Sequence, residues 1–352
     1  MTDREAAVRA AFIGQAKACA GLGSAFTAHL CEQFAANLTS DTAIGAKCLT
    51  WSGDPAISAD NVPLRLCGGL HAQALTNRAP ALAEAYGNAK HARPSWDILH
   101  RILQEQSDFL CLWVERPPQT NEVSRAAALW AGFMTISALT QKPLALVELG
   151  ASAGLNLQAD RFSYNLGGHL FGDAASAVRL KPEWKGKPPH AAPISIMSRA
   201  GCDLSPLDPS DDDDALRLTA YVWPDQPERL ARLEAALSIA RQHPVCVEAK
   251  DALVFLEGQL EHADESVCTV IYSTVAWQYL PPQAQDEGAA MIARHGIRLR
   301  QGALAWLRME ADGNTPGAGI DLILNPGHTE QQNIPLGRAH FHGAWVEWQG
   351  FS

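Results

Sequence analysis

No apolar stretch in this sequence is long enough to cross a bilayer. The longest near-apolar window, Ala126 to Leu139, falls short of the about 18 to 20 residues required and reads as a buried helix. No apolar stretch follows the charged start Met1-Thr2-Asp3-Arg4-Glu5, so a signal peptide is not expected. The eight cysteines, at 19, 31, 48, 67, 111, 202, 246 and 268, form no C-x-x-C and no tight cluster. That usage points to reduced, mostly buried thiols in a cytoplasmic protein. Positive charge is also short: 28 Lys and Arg stand against 38 Asp and Glu, a net charge of -10. A broad phosphate-binding face, and with it a nucleic acid partner, is not expected. With 47% hydrophobic and 19% charged residues, the chain is neither a disordered tail, a collagen repeat nor a charge-dense coiled coil. There is no internal repeat, and the one low-complexity tract, Asp211–Asp214, reads as a helix cap.

What the sequence does have is a change of grammar in its middle. Its 352 residues suggest two domains, each with its own core. Up to about Leu139 the pattern is helical: Leu22, Phe26, Leu30, Phe34 and Leu38 recur every fourth residue as one apolar stripe. A second helix is expected from Trp96 to about Trp113, stopped by Pro117-Pro118, with another starting near Glu122 after the polar Gln119-Thr120-Asn121. No strand is expected before residue 143.

After Pro143, short apolar runs alternate with helical stretches, the mark of a mainly parallel sheet. Strands are expected at Leu144–Leu149, Ile194–Ser198, Val245–Ala249, Val267–Tyr272, Leu304–Glu310, Ile320–Leu324 and Ala344–Trp348. Helices fit at Gly154–Asp160, Asp211–Val222, Gln226–Gln242, Leu253–His262 and Pro282–His295, the last capped by Gly296. Gly167-Gly168 marks an inserted hairpin within about 161–173. The boundary falls near 140, giving a helical domain at 1–140 and an α/β domain at 141–352.

The most informative stretch runs Val147-Glu148-Leu149-Gly150-Ala151-Ser152-Ala153-Gly154-Leu155-Asn156, a strand entering a loop of small residues. Small side chains admit a ligand to the backbone, and free N–H groups at a helix start favour an anion. A dinucleotide site would need G-x-G-x-x-G, but Ser152 and Leu155 occupy the second and third glycine positions, which disfavours a nicotinamide cofactor. Three readings stay open. The loop is a packing turn; or Gly150-x-Ser152-x-Gly154 is the nucleophile elbow of a serine hydrolase; or Glu148-x-Gly150-x-Ser152-x-Gly154 is a cofactor loop.

In the third reading the chain resembles class I S-adenosylmethionine-dependent methyltransferases. The resemblance implies a Rossmann-like sheet, mainly parallel with an antiparallel C-terminal hairpin, here formed from residues 320–348, and a helical N-terminal lid. It implies S-adenosylmethionine as cofactor, held by Glu148, Gly150, Ala151, Ser152 and Gly154. Asp203 would hold the ribose hydroxyls, although it lies 49 residues beyond Gly154 where a compact unit needs about 20. Asp251 and Ala252 would meet the adenine, and Ser273 would line the methyl side. Either aspartate would serve equally as a helix N-cap.

Further segments, Pro117-Pro118-Gln119-Thr120-Asn121-Glu122-Val123, Asp203-Leu204-Ser205-Pro206-Leu207-Asp208 and Val222-Trp223-Pro224-Asp225-Gln226-Pro227-Glu228-Arg229, together with the loop itself, resemble the bacterial domain-of-unknown-function 2332 family. That resemblance covers nearly the whole chain and implies no activity.

Ligands of open α/β sheets lie beyond the carboxyl ends of the strands. Tyr272 and Trp277 are therefore candidates beside the transferable methyl, aromatic faces suiting a sulfonium cation; core packing would account for both equally. Asn121, Glu122 and Arg125 open the last helix before the sheet, where Glu122 would act as a base or simply complement the helix dipole. Trp223 and Asp225 join two helices and are candidates for the acceptor pocket. The expectation is an S-adenosylmethionine-binding protein, a methyltransferase with Glu122 and Tyr272 as proton acceptors. The alternatives are a non-catalytic ligand-binding or scaffold protein on that fold and a serine hydrolase using Ser152. His340-x-His342 with His328 is the one histidine grouping, and without a completing carboxylate or cysteine no metal site is expected.

Overall fold

The computed structural model describes residues 2–350 and divides the chain into two compact units, Met1–Thr120 with Asp211–Glu234, and Asn121–Ser210 with Ala235–Ser352. The first unit is helical: α1 (Asp3–Gly21), α2 (Ala25–Asn37), α3 (Ala43–Leu49), α4 (Val62–Leu75), α5 (Pro80–Gly87), α6 (Trp96–Glu105) and α7 (Ser107–Trp113). Helix α9 (Asp212–Ala220) and the start of α10 (Pro227–Gln242) also belong to it. The starts of these helices are written in the sequence. Thr2, Ser24, Thr42, Asn61 and Asp211 each accept a first-turn backbone N–H. Phe12, Phe26, Leu30, Phe34, Leu66, Leu70 and Leu99 pack as one core.

The stripe from Leu22 to Leu38 is shorter than its periodicity suggests, because Leu22 and Leu38 are the C-cap residues of α1 and α2. The expected helix Trp96–Trp113 is two helices, broken where Gln106 leaves helical geometry at φ -112° and ψ 18°.

The second unit is built on α8 (Ala126–Thr140), preceded by a single 3-10 turn at Val123–Arg125 rather than by a helix from Glu122. Its sheet contains β1 (Leu144–Leu149), β5 (Glu183–Lys185), β6 (Ile196–Asp203), β7 (Val247–Ala249), β8 (Cys268–Thr274), β9 (Leu304–Glu310), β10 (Ala318–Leu324), β11 (Gln332–Ala339) and β12 (Trp345–Trp348). Among the described residues no strand precedes Leu144. The nine strands are ordered β5-β12-β11-β10-β9-β8-β1-β6-β7. The block β7-β6-β1-β8-β9 is parallel throughout. Its inner strands β1, β8 and β9 are buried almost throughout and read as near-continuous apolar runs, as strands covered on both faces do. Helix α8, apolar all round, covers one face with Phe133 edge-on to Tyr272 at 5.4 Å. On the other face, α11 (Ala252–Glu261) and α12 (Pro282–Gly296) bring Phe255, Leu256 and Ile292 against Val147, Leu149 and Ile271. Gly296 lies inside α12 and is not its cap; a Cβ there would overlap the Pro326 carbonyl oxygen.

The inserted hairpin is present as β2 (Ser163–Leu166) and β3 (His169–Gly172), with Gly167 and Gly168 both at positive φ, the pattern of a type I′ turn. It forms a small second sheet with β4 (Arg179–Leu180). The C-terminal arrangement departs from the expected hairpin. Strand β11 stands between β10 and β12 and pairs antiparallel with both. It was hidden by Pro335, Gly337 and the polar start Gln332-Asn333, all weak strand formers. The ladder absorbs the proline through a bulge, the register moving from Ile320↔Gly337 to Asp321↔Pro335.

Gly337 has φ +136°, and a Cβ there would lie 2.0 Å from the Glu347 carbonyl oxygen of β12. Gly337→Ala is expected to cost about 1–3 kcal/mol or more, read as a lower urea midpoint with an unchanged slope.

Candidate functional site

The order of strands reverses between β1 and β8: from β1 the chain steps to β6 and β7 on one side, from β8 to β9 on the other. Open α/β sheets place their ligands at such a switch point, and in this sheet the two loops leaving it touch, a Cβ on Gly150 lying 2.5 Å from Ala276 Cβ. Here the two loops are the small-residue turn after β1 and Val275–Trp277 after β8.

The first loop is tightly tied down. Gly150, Ser152 and Gly154 take φ +71°, +54° and +69°. Gly150 needs its missing side chain, because a Cβ would lie 2.5 Å from Ala276 Cβ; at Gly154 it would lie 2.9 Å from Val247 Cγ2. Glycine at 154 is thus required by the fold itself, whatever the loop binds. Ser152 N–H donates to Asp203 Oδ2 at 3.0 Å, and Ser205 N–H donates to Oδ1 of the same carboxylate at 2.9 Å. Asp203, the last residue of β6, therefore ties the turn after β1 to the turn after β6. Leu155 N–H donates to Asn121 Oδ1 at 2.9 Å. The element that follows is a 3-10 helix, Leu155–Arg161, in place of the expected α-helix.

The second loop is strained and anchored. Val275 has φ +54°, an unfavourable backbone for a β-branched residue. It is held by Glu310 at the end of β9, whose carboxylate accepts the N–H groups of Ala276, Trp277 and Gln278 at 3.1 to 3.3 Å. Burial raises the Glu310 carboxyl above its ordinary range, while those three N–H groups pull it down. Glu310 was not among the expected site residues. The signal was available, since it is an acidic side chain closing a strand, as Asp203 is.

Glu148 and Tyr272 meet in the interior. Tyr272 hydroxyl donates to Glu148 Oε2 at 3.1 Å, and both side chains are buried. Burial pushes the Glu148 carboxyl up to about 8, against the pull of that hydrogen bond and of Arg125. Burial and the neighbouring Glu148 also hold the Tyr272 phenol well above its ordinary range. Ser273 is buried alongside. Trp277 packs edge-on against Trp306 at 5.1 Å and over Gly288, a core contact.

Among the remaining candidates, Glu122 caps the 3-10 turn by accepting Ser124 N–H at 3.1 Å. Arg125 donates to the carbonyls of Phe341 at 2.8 Å and Thr274 at 2.9 Å, binding the end of β8 to the C-terminal segment. Asp251 caps α11 through Leu253 N–H and Val254 N–H, with Ala252 the first helical residue. The structure therefore gathers Asn121, Glu122, Arg125, Glu148, Gly150, Ala151, Ser152, Gly154, Asp203, Asp251, Ala252, Tyr272, Ser273 and Trp277 within the sheet unit. Trp223 and Asp225 belong to the helical unit. There Asp225 accepts Ser24 hydroxyl at 2.7 Å and Phe26 N–H at 2.9 Å, and Trp223 packs on Cys19 and Ala28.

Among the described residues no three His, Cys, Asp or Glu side chains are placed to hold a metal ion, and no helix is long and apolar enough to cross a membrane. Of the eight cysteines, six are buried, Cys111 is half-buried and Cys246 exposed.

These features define an α/β protein whose mainly parallel sheet places a small-residue loop and acidic strand ends at its switch point. The chain matches the family described as "Uncharacterized protein conserved in bacteria (DUF2332)" over residues 9–348, and it belongs to that family. No curated protein and no solved structure matches it.

Glu148 carries the clearest pH consequence. Its folded value near 8 lies above the ordinary carboxyl value of 4.5, so its contribution to stability is complete below about 4.5 and lost as pH rises through 8. Glu148→Gln, shaped like the protonated acid, is expected to gain stability relative to wild type between pH 5 and 9. Urea midpoints across that range check this; parallel profiles would contradict it.

Proposed function

We propose that this protein binds S-adenosylmethionine at the β1/β8 switch point and transfers its methyl group to an acceptor. The observation that carries the reading is one of order. Glu148-x-Gly150-x-Ser152-x-Gly154 closes β1, and acidic residues close or follow the next two strands outward, Asp203 after β6 and Asp251 after β7. In this reading Asp203, at the end of β6, holds the ribose, and Asp251 and Ala252 border the adenine. Bringing methyl and acceptor into line would supply much of the acceleration. Glu122 is the group assigned to receive the acceptor's proton.

A second reading, the serine hydrolase, draws on one observation: Ser152 stands at φ +54° in a strand-end turn, the kind of strained backbone that a nucleophile elbow uses. Against it, no strand among the described residues precedes β1 to carry the other half of an oxyanion hole.

Calorimetric titration with S-adenosylmethionine and S-adenosylhomocysteine, with NAD as control, separates these readings. Micromolar binding of the first two alone is expected, weakened at least about tenfold in Asp251→Ser, which keeps the helix cap and removes the charge. No binding rejects the cofactor reading. Fluorophosphonate labelling that disappears in Ser152→Ala would then favour the hydrolase, and absence of both a scaffold.

A further inference from the structure

Three thiols meet inside the helical unit. Cys31 of α2 and Cys67 of α4 stand with their Sγ atoms 3.8 Å apart, and Cys31 also hydrogen-bonds to Cys19 of α1. A disulfide needs about 2.05 Å between sulfurs, so the Cys31–Cys67 pair is reduced but already in contact. The two differ in access. Cys31 is fully buried, whereas Cys67 lines a cleft of this unit with about 260 Å³ of empty space. The half-buried residues of that cleft are Leu64 and Pro224, which places its mouth between them.

The cleft also holds an unused hydrogen-bond donor. Tyr86 lines it, 7% exposed, and its hydroxyl is buried without a hydrogen-bond partner among the described residues. The phenol is close enough to Cys67 and Cys31 to feel the charge of either sulfur. A buried hydroxyl left unpaired is costly, and an oxygen atom entering beside Cys67 would satisfy it. His71, one turn after Cys67 on α4, completes the polar lining. Its Nδ1 bonds with the Ala220 carbonyl at 3.1 Å, and burial pushes its value down to about 4, so the ring stays neutral. A narrow, uncharged cleft holding a thiol and a free O–H donor suits a small neutral electrophile that accepts a hydrogen bond. A hydroperoxide has that chemistry.

We propose that Cys67 and Cys31 form a peroxide-responsive pair: a hydroperoxide in the cleft oxidises Cys67, and Cys31 closes a disulfide that joins α2 to α4. In the first step the Cys67 sulfur attacks one peroxide oxygen and the O–O bond breaks. The Cys67 proton goes to the departing oxygen, which accepts from Tyr86 hydroxyl and leaves as water or an alcohol. In the second step the Cys31 sulfur attacks the sulfenic sulfur, the S–O bond breaks, and the Cys31 proton leaves with that oxygen as water. The two sulfurs together lose two electrons, and the peroxide gains them. Hydrogen bonds to Cys19 and Cys67, together with burial, hold the Cys31 thiol well above its ordinary range, which suits it to react second. The pair is independent of the glycine loop and of any cofactor there.

The full-length protein, reduced and freed of reductant, is treated in native buffer with hydrogen peroxide raised until the exposed Cys246 is oxidised. Remaining thiols are blocked with N-ethylmaleimide in urea, and the chain is digested without reduction for mass spectrometry. The expected product is a peptide pair joined through Cys31 and Cys67, absent before treatment and lost on adding dithiothreitol. In Tyr86→Phe, which keeps the ring, the link is expected to form severalfold more slowly. Oxidised Cys246 with Cys31 and Cys67 still free overturns the proposal, as does a link from Cys31 to Cys19. A Cys31–Cys67 link that forms as fast in Tyr86→Phe as in wild type also overturns it. Should Tyr86→Phe fail to fold, Leu64→Trp, which narrows the mouth, decides in its place: an unslowed link there means that peroxide does not enter by the cleft.

Discussion

The sheet unit depends on the contact between Gly150 and Ala276, where two strand-end loops approach more closely than a Cβ allows. The closeness forces small residues on one side of the switch point and a left-handed valine on the other. Backbone groups in such crowded turns still need partners, and three side chains provide them. Asp203 collects two N–H groups, Glu310 three and Asn121 one. The carboxyl end of this sheet is therefore organised by the chain's own acids and amides.

How legible this was in the sequence varied with the range of the forces involved. Helix α8 and strands β1 and β9 were plain because their periodicity and apolar content are local properties. Strand β11 was not, since its Pro335 and Gly337 are tolerated only through a bulge defined by its neighbours. The split at Gln106 was equally hidden: no breaker residue marks it. In the candidate site the glycine loop was readable from its small side chains alone. The pairing of Glu148 with Tyr272 was not, because the two are separated by 124 positions and meet only once β1 and β8 lie side by side.

Capping explains why several acidic residues admitted two meanings. Glu122, Asp225 and Asp251 each accept N–H groups at a helix or turn start. For Asp225 the capped helix, α2, lies 199 positions earlier than the residue that caps it, a relation no local pattern could reveal. A cap does not abolish a carboxylate's other lone pairs; Asp251 stands exposed at the start of α11, whereas Asp225 is tied to Ser24 and Phe26 in the helical unit.

That long-range cap has a further meaning for how the chain is made. The helical unit comprises two separate stretches, ending at Thr120 and resuming at Asp211. During vectorial synthesis the first seven helices emerge long before α9 brings Tyr221 to Gly68 and the segment after it brings Asp225 to Ser24. The amino-terminal helices must therefore wait, incompletely closed, while much of the first sheet strands is translated, and domain-by-domain folding from the amino end is interrupted. Only once the chain has passed Glu234 does the helical unit hold all of its own segments, while the sheet unit is still being extended.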